Sequence, residues 1–203
     1  MGALPRAVRA TISGLVLAGG QGSRMGGVDK GLQPFRGKPM VAHVVERLAP
    51  QVDELLINAN RNPDDYARFG HRVIADEIAG FAGPLAGFKR GLAHAMGELV
   101  VTVPCDSPFL PHDLVERLRE RLESANAELA VARTGEQSHP VFCLMRRSVL
   151  PSLQQFLGSG QRKIDKWYSV LRVEEVSFDD EVDAFLNINT REELASLEPK
   201  AER

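Results

Sequence analysis

The chain has 203 residues, 43% hydrophobic and 26% charged, with a formal net charge of −2. That length supports one sizeable hydrophobic core and is short for two full domains. The mildly acidic balance gives nucleic acid no global attraction, so an anionic ligand has to be met by local cations; no apolar run approaches the roughly 20 residues that span a bilayer.

Residues 1–11 carry Arg6 and Arg9 and read as an extension ahead of the first strand. The apolar segment 12–18 is broken by Gly14 and ends in glycines, which suits a buried strand better than a signal-peptide core. From Pro39 the residues Val41, Val44, Val45 and Leu48 fall on one helical face. A second strand is expected over 54–59, then a turn at Asn62-Pro63, a short helix to Phe69, and a third strand over 72–75 ending at Asp76. Leu85, Phe88, Leu92 and Met96 repeat at helical spacing, and 99–103 is a continuous apolar strand. Such unalternating runs suit strands covered on both faces. Another helix follows Pro111, with Leu114, Val115, Leu118 and Leu122 inward; strands follow at 128–132 and 140–145, then a helix over 147–157.

A strand over 171–178 and a closing helix from about 191 complete the pattern, with Thr190 and Glu193 in capping-box spacing. Alternating strand and helix predict an α/β fold, a three-layer α/β/α sandwich on a mainly parallel, Rossmann-like sheet, with the last third covering one edge. Residues 12–198 are expected to form one domain, and 199–203 a tail. The two cysteines, Cys105 and Cys143, lie far apart without CxxC spacing, which argues against a zinc site or disulfide scaffold and fits a cytoplasmic protein.

The chemistry concentrates at predicted strand ends, where α/β sheets collect ligands. Leu17-Ala18-Gly19-Gly20-Gln21-Gly22-Ser23-Arg24-Met25-Gly26-Gly27-Val28-Asp29-Lys30 follows the first strand without a gap. Clustered glycines let backbone N–H groups approach phosphate oxygens, and Arg24 and Lys30 add charge. Two commoner phosphate loops do not fit. The dinucleotide fingerprint needs a third glycine where Met25 stands, and the P-loop needs Gly-Lys followed by Ser or Thr, whereas Gly37-Lys38 precedes Pro39. Val103-Pro104-Cys105-Asp106-Ser107-Pro108 closes the most apolar strand. Asp106 there either binds a hard divalent cation or caps the following turn. Asn58 and Asp76 end the second and third strands and either pair with a purine or ribose or serve as turn residues.

The Leu-Ala-Gly-Gly turn leading to Arg-Met-Gly and Asp-Lys resembles the signature of the molybdopterin-type nucleotidyltransferases, and the likeness runs from about Ile12 to Leu197, with 158–170 unaligned. That resemblance implies a fold of the nucleotide-diphospho-sugar transferase type. It implies that Leu17, Ala18, Gly19 and Gly20 wrap the nucleotide phosphates, that Lys30 and Arg24 stabilise charge on the triphosphate, and that Asp106 binds Mg2+. Asn58, Asp76 and the Gly83-Pro84-Leu85-Ala86-Gly87 stretch would contact the guanine nucleotide. His139-Pro140 and the segment holding Asn187 and Asn189 would face the acceptor.

The implied reaction transfers GMP from GTP to the terminal phosphate of molybdopterin and releases pyrophosphate, with Gly19-Gly20 favouring guanine. The implied protein partners are those that deliver the cofactor and the molybdoenzymes that receive it, with neither nucleic acid nor membrane involved. Cytidylyl transfer, transfer to a sugar or polyol phosphate, and a GTP-binding module without chemistry are the alternatives. A pure binding module has little reason to hold both Lys30 and Asp106.

Overall fold

The computed structural model describes residues 9–18, 28–76 and 83–188, together with Glu193 and Leu197. A seven-stranded sheet organises it. β1 (Ile12–Leu17), β4 (Glu54–Asn58), β5 (Arg72–Ile74) and β6 (Leu99–Pro104) form one half, and β7 (Leu129–Thr134), β8 (Gln137–Arg146) and β9 (Val173–Ser177) the other. The spatial order is β5-β4-β1-β6-β8-β7-β9. β1 lies parallel to both β4 and β6, and β4 parallel to β5, so the first half is a parallel sheet as expected. β8 reverses direction against both β6 and β7 because a two-residue loop, Gly135-Glu136, joins it to β7. Gly135 has φ +53°, the sign that two-residue hairpin turns demand. β9 then runs parallel to β7 along the edge.

Side chains from successive strand residues enter two separate cores, as the pleat requires. Val16, Leu55, Ile57, Val101, Val103, Ala130, Phe142 and Leu144 point to one face. There they meet Val41, Val44, Val45 and Leu48 of α1 (Met40–Leu48) and Leu114, Val115, Leu118 and Leu122 of α4 (Leu114–Ser124). Leu15, Leu56, Val100, Leu129, Val131, Cys143 and Met145 point to the other. Covering them are Leu85, Phe88 and Leu92 of α3 (Pro84–His94), Leu153, Phe156 and Leu157 of α5 (Leu150–Gly158), and Trp167 of α6 (Ile164–Tyr168). Two helical layers around one sheet make the expected sandwich. A short helix, α2 (Pro63–Ala67), follows Asn62 and buries Tyr66.

Some details differ from the sequence reading. A small hairpin, β2 (Pro34–Phe35) and β3 (Lys38–Pro39), precedes α1, and its Phe35 packs with Met40 and Ile188 in a satellite cluster. β8 begins at Gln137 rather than 140, since hairpin pairing holds polar residues in register where no apolar pattern marks them. α3 stops at His94, so Met96 leaves the apolar stripe and stands 74% exposed. The stretch 158–170 contains α6, anchored by the fully buried Trp167. Glu193 and Leu197 are helical, and the rest of the expected closing helix, with Thr190, lies outside the described residues.

Candidate active site

The parallel strands β5, β4, β1 and β6 all end at one edge of the sheet, and their last residues stay tied together. Ala18 N donates to Asn58 O (2.8 Å), Cys105 N to Leu17 O (3.1 Å), and Ala59 N to Ile74 O (2.9 Å). Leu17, Ala18, Asn58, Asp76 and Asp106 therefore line a single edge. β5 and β6, the strands that lead to Asp76 and Asp106, are separated by β4 and β1, roughly three 4.8 Å strand spacings. Those two carboxylates mark the ends of an elongated site.

At the β6 end, Lys30 reaches back from the segment after the glycine loop, and its Nζ lies 3.4 Å from Asp106 Oδ2. Both side chains are largely buried. Burial pushes the Asp106 carboxyl above its ordinary value, and the Lys30 ammonium opposes that rise. Ile188 N donates to Asp106 O (2.9 Å), and the Ser107 hydroxyl donates to Asn187 Oδ1, so the 187–188 segment is stitched to the same strand end. Among the described residues no group of three or more His, Cys, Asp or Glu side chains forms a metal cage. A lone buried carboxylate still suits magnesium, which takes one or two carboxylates and completes its shell with phosphate oxygens and water.

At the β5 end the structure joins the two residues that the sequence reading could only place separately. Asn58 Nδ2 donates to Asp76 Oδ1 at 2.9 Å. Asn60, two residues on from Asn58 and not singled out among the expected site residues, donates from Nδ2 to Asp76 Oδ2 (2.8 Å) and accepts from Asp76 N (2.8 Å). These bonds fix the carboxylate's orientation and leave lone pairs available to a hydrogen-bond donor. The Asn-x-Asn spacing after a strand was the only signal for Asn60 in the sequence. α3 presses its first turns onto this corner. Gly83 precedes it, and Gly87 sits so close that a Cβ there would lie 2.6 Å from both Asn58 Oδ1 and Leu17 Cδ2.

His139 lies on β8 beyond the end of β6, at the same edge, because antiparallel pairing sets Cys143 opposite Thr102. Its ring stacks on Phe185 (4.6 Å between centroids, 15° between planes), and its Nε2 lies 2.7 Å from Thr134 Oγ1. Burial holds it below the usual imidazole value. Of the other expected site residues, Gly19, Gly20, Arg24 and Asn189 lie outside the described residues.

Residues 14–175 match the family described as the MobA-like NTP transferase domain. The chain is 52% identical over 197 residues to a molybdenum cofactor guanylyltransferase of Cupriavidus taiwanensis, covering 95% of this chain and 98% of the relative. It is 50% identical over 182 residues to the molybdenum cofactor guanylyltransferase of Shewanella putrefaciens, covering 90% and 93%. Among solved structures, molybdopterin-guanine dinucleotide biosynthesis protein A from Archaeoglobus fulgidus superposes with a TM-score of 0.76 at 25% identity, over 91% of this chain and 95% of that one.

Proposed function

The chain belongs to the MobA-like NTP transferase family, and from that membership and the strand-edge site we infer guanylyl transfer to the molybdenum cofactor. The enzyme is a nucleotidyltransferase whose substrates are GTP and molybdopterin or its molybdenum-loaded form. One observation ties the chemistry to this chain: Lys30, which follows the glycine-rich motif in the sequence, meets Asp106 at the end of the most apolar strand at 3.4 Å.

In the reaction, an oxygen of the terminal molybdopterin phosphate attacks the α-phosphorus of GTP. A new P–O bond forms, the bond to the α,β-bridging oxygen breaks, and pyrophosphate leaves with the electron pair. The attacking phosphate monoester has a second pKa near about 6 and is ionised at neutral pH, so the protein needs no strong general base. Its own residues position the reactants and balance charge.

We assign Lys30, with Arg24, to the triphosphate, where an ammonium offsets charge that builds on the leaving group. Leu17 and Ala18, the latter's N–H already donating to Asn58 O, would lead the chain into Gly19 and Gly20, whose backbone N–H groups would track the phosphates. Asp76, held by Asn58 and Asn60, presents an acceptor suited to the N–H donors of guanine, and Gly83, ahead of α3, would help shape that end. Asn187 and Asn189 would face the acceptor. Asp106 would hold magnesium, which would supply positive charge to offset that of the phosphates. Residues 12–198 are taken as one domain, a reading supported by the single sheet running from Ile12 to Ser177, with 1–11 an extension and 199–203 a tail. Among the described residues no helix is long and apolar enough to cross a membrane. A cytoplasmic location, with exchange partners among proteins that deliver or receive the cofactor, follows from the reaction as part of this proposal.

Incubating the purified protein with molybdopterin, magnesium and either GTP or CTP, with products read by mass, tests the reading. A guanine dinucleotide plus pyrophosphate, formed from GTP alone, is expected. A cytosine product would retain the mechanism and overturn the base assignment. GTP binding without any dinucleotide would indicate a module lacking chemistry.

Gly87→Ala probes the base end. The new Cβ gains about 1 kcal/mol of helix propensity but forces the buried Asn58 amide or Leu17 to move, an overpacking cost of about 1–3 kcal/mol. On stability the cost equals or exceeds the gain, a net loss of about 0–2 kcal/mol. Displacing Asn58 loosens Asp76, so KM for GTP is expected to rise roughly tenfold, or about 1.4 kcal/mol. An unchanged KM with a raised melting temperature would place nucleotide recognition elsewhere.

A further inference from the structure

Asp29 stands one residue before Lys30 in the loop motif, and the transfer reaction described above makes no use of it. Its carboxylate nonetheless accepts on both oxygens: the Tyr66 hydroxyl donates to Oδ1 at 2.5 Å, and Asn62 Nδ2 to Oδ2 at 3.0 Å. Gln33 Nε2 donates to the Asp29 carbonyl at 3.1 Å. Tyr66 is fully buried on α2 and packs into the core beneath α1.

The same hydroxyl touches the other flank of Lys30. A Cβ at Gly31 would lie 2.5 Å from the Tyr66 oxygen and 3.1 Å from Cys105 Sγ, so that position tolerates only glycine without a shift. Cys105 is the residue before Asp106. One buried oxygen thus sits where the Lys30 segment and the Asp106 strand end meet. Burial also keeps this hydroxyl protonated, far above the usual tyrosine value, so it remains a donor.

We infer that Tyr66, acting through Asp29, is a positioning residue that holds Lys30 against Asp106 for nucleotidyl transfer; the inference rests on the role proposed above for Lys30. A lysine head on a flexible four-carbon stem can be aimed only if its backbone is fixed. A short bond from a buried hydroxyl to a side-chain oxygen, 2.5 Å here, provides such an anchor. Asp29 then works by accepting hydrogen bonds and not by charge on a metal or phosphate. An asparagine would serve nearly as well, since its Oδ1 accepts from Tyr66 while its Nδ2 donates to Asn62 after that amide rotates.

The test uses the full chain with GTP, molybdopterin and magnesium, measuring kcat, KM for GTP and melting temperature. Tyr66→Phe keeps the ring and is expected to lower kcat roughly 10- to 100-fold, the scale of a misplaced catalytic group, with KM and melting temperature little changed. Asp29→Ala should lose as much, and Asp29→Asn should restore most of it. Parental kcat in Tyr66→Phe overturns the inference. So does an Asp29→Asn as slow as Asp29→Ala, which would assign Asp29 a charge role. Losses that track melting temperature across the three variants, with KM rising alongside, also overturn it. Lys30→Ala is measured in parallel. If it retains turnover, the role of Lys30 falls and the positioning inference falls with it; if it is slow while Tyr66→Phe is unaffected, only the positioning inference fails.

Discussion

Lys30→Ala is expected to lower turnover with GTP and molybdopterin by roughly 10²- to 10³-fold, the usual cost of deleting one preorganised group that stabilises developing charge. Lys30 lies outside the helices and the sheet, on the segment between the glycine loop and the β2–β3 hairpin. Its ammonium lies 3.4 Å from Asp106, at the strand end where the triphosphate is proposed to lie. The fold does not depend on it, because the cores are built from sheet and helix side chains that the substitution leaves in place. Melting should therefore stay close to the parent while kcat collapses. Lys30→Arg keeps the charge but replaces a compact ammonium with a broad planar fork, so only part of the activity should return. Near-parental kcat in Lys30→Ala would remove the triphosphate role from this residue.

The parallel half of the fold was legible because its central strands, β1, β4 and β6, are buried on both faces and read as largely apolar runs. Segment 54–59 and β4, or 99–103 and β6, differ by no more than a residue at an end. The antiparallel half was less so. Gln137 to Pro140 pair in β8 through the Gly135-Glu136 turn and not through apolar patterning, and the two-residue strands β2 and β3 are too short to show a period. α6 carries a single fully buried anchor, Trp167, in an otherwise polar stretch.

For the site the division is similar. Asn58, Asp76 and Asp106 stand out as candidates because each closes or follows a strand, and Lys30 because it closes the glycine-rich motif; parallel topology then brings the strand ends together. The Asn58–Asp76–Asn60 network and the Tyr66–Asp29 bond do not, because side-chain partners 16 to 37 residues apart leave no local pattern.

Asp106→Asn is expected to reduce turnover by at least roughly 10³-fold at ordinary magnesium concentration, because it removes the charge proposed to hold the cation while leaving the side chain's shape. The substitution is structurally mild. Asp106 O, which accepts from Ile188 N at 2.9 Å, belongs to the backbone and is retained, so the 187–188 segment keeps its attachment. The neutral amide also lacks the desolvation penalty that now pushes the Asp106 carboxyl upward, so folding stability should hold or rise slightly.

A loss of activity without a loss of stability is the pattern that separates a ligand from a scaffold residue. An amide oxygen remains a weak magnesium ligand, so raising the metal concentration should recover part of the rate, with the half-maximal concentration shifted upward from the parent's. Unchanged magnesium dependence with a modest loss of kcat would make Asp106 a partner for Lys30 alone. The two substitutions also differ in what metal restores, since added magnesium substitutes for a missing metal ligand but does little for the missing ammonium in Lys30→Ala. That asymmetry, once measured, would assign the two charges of a 3.4 Å pair to separate tasks.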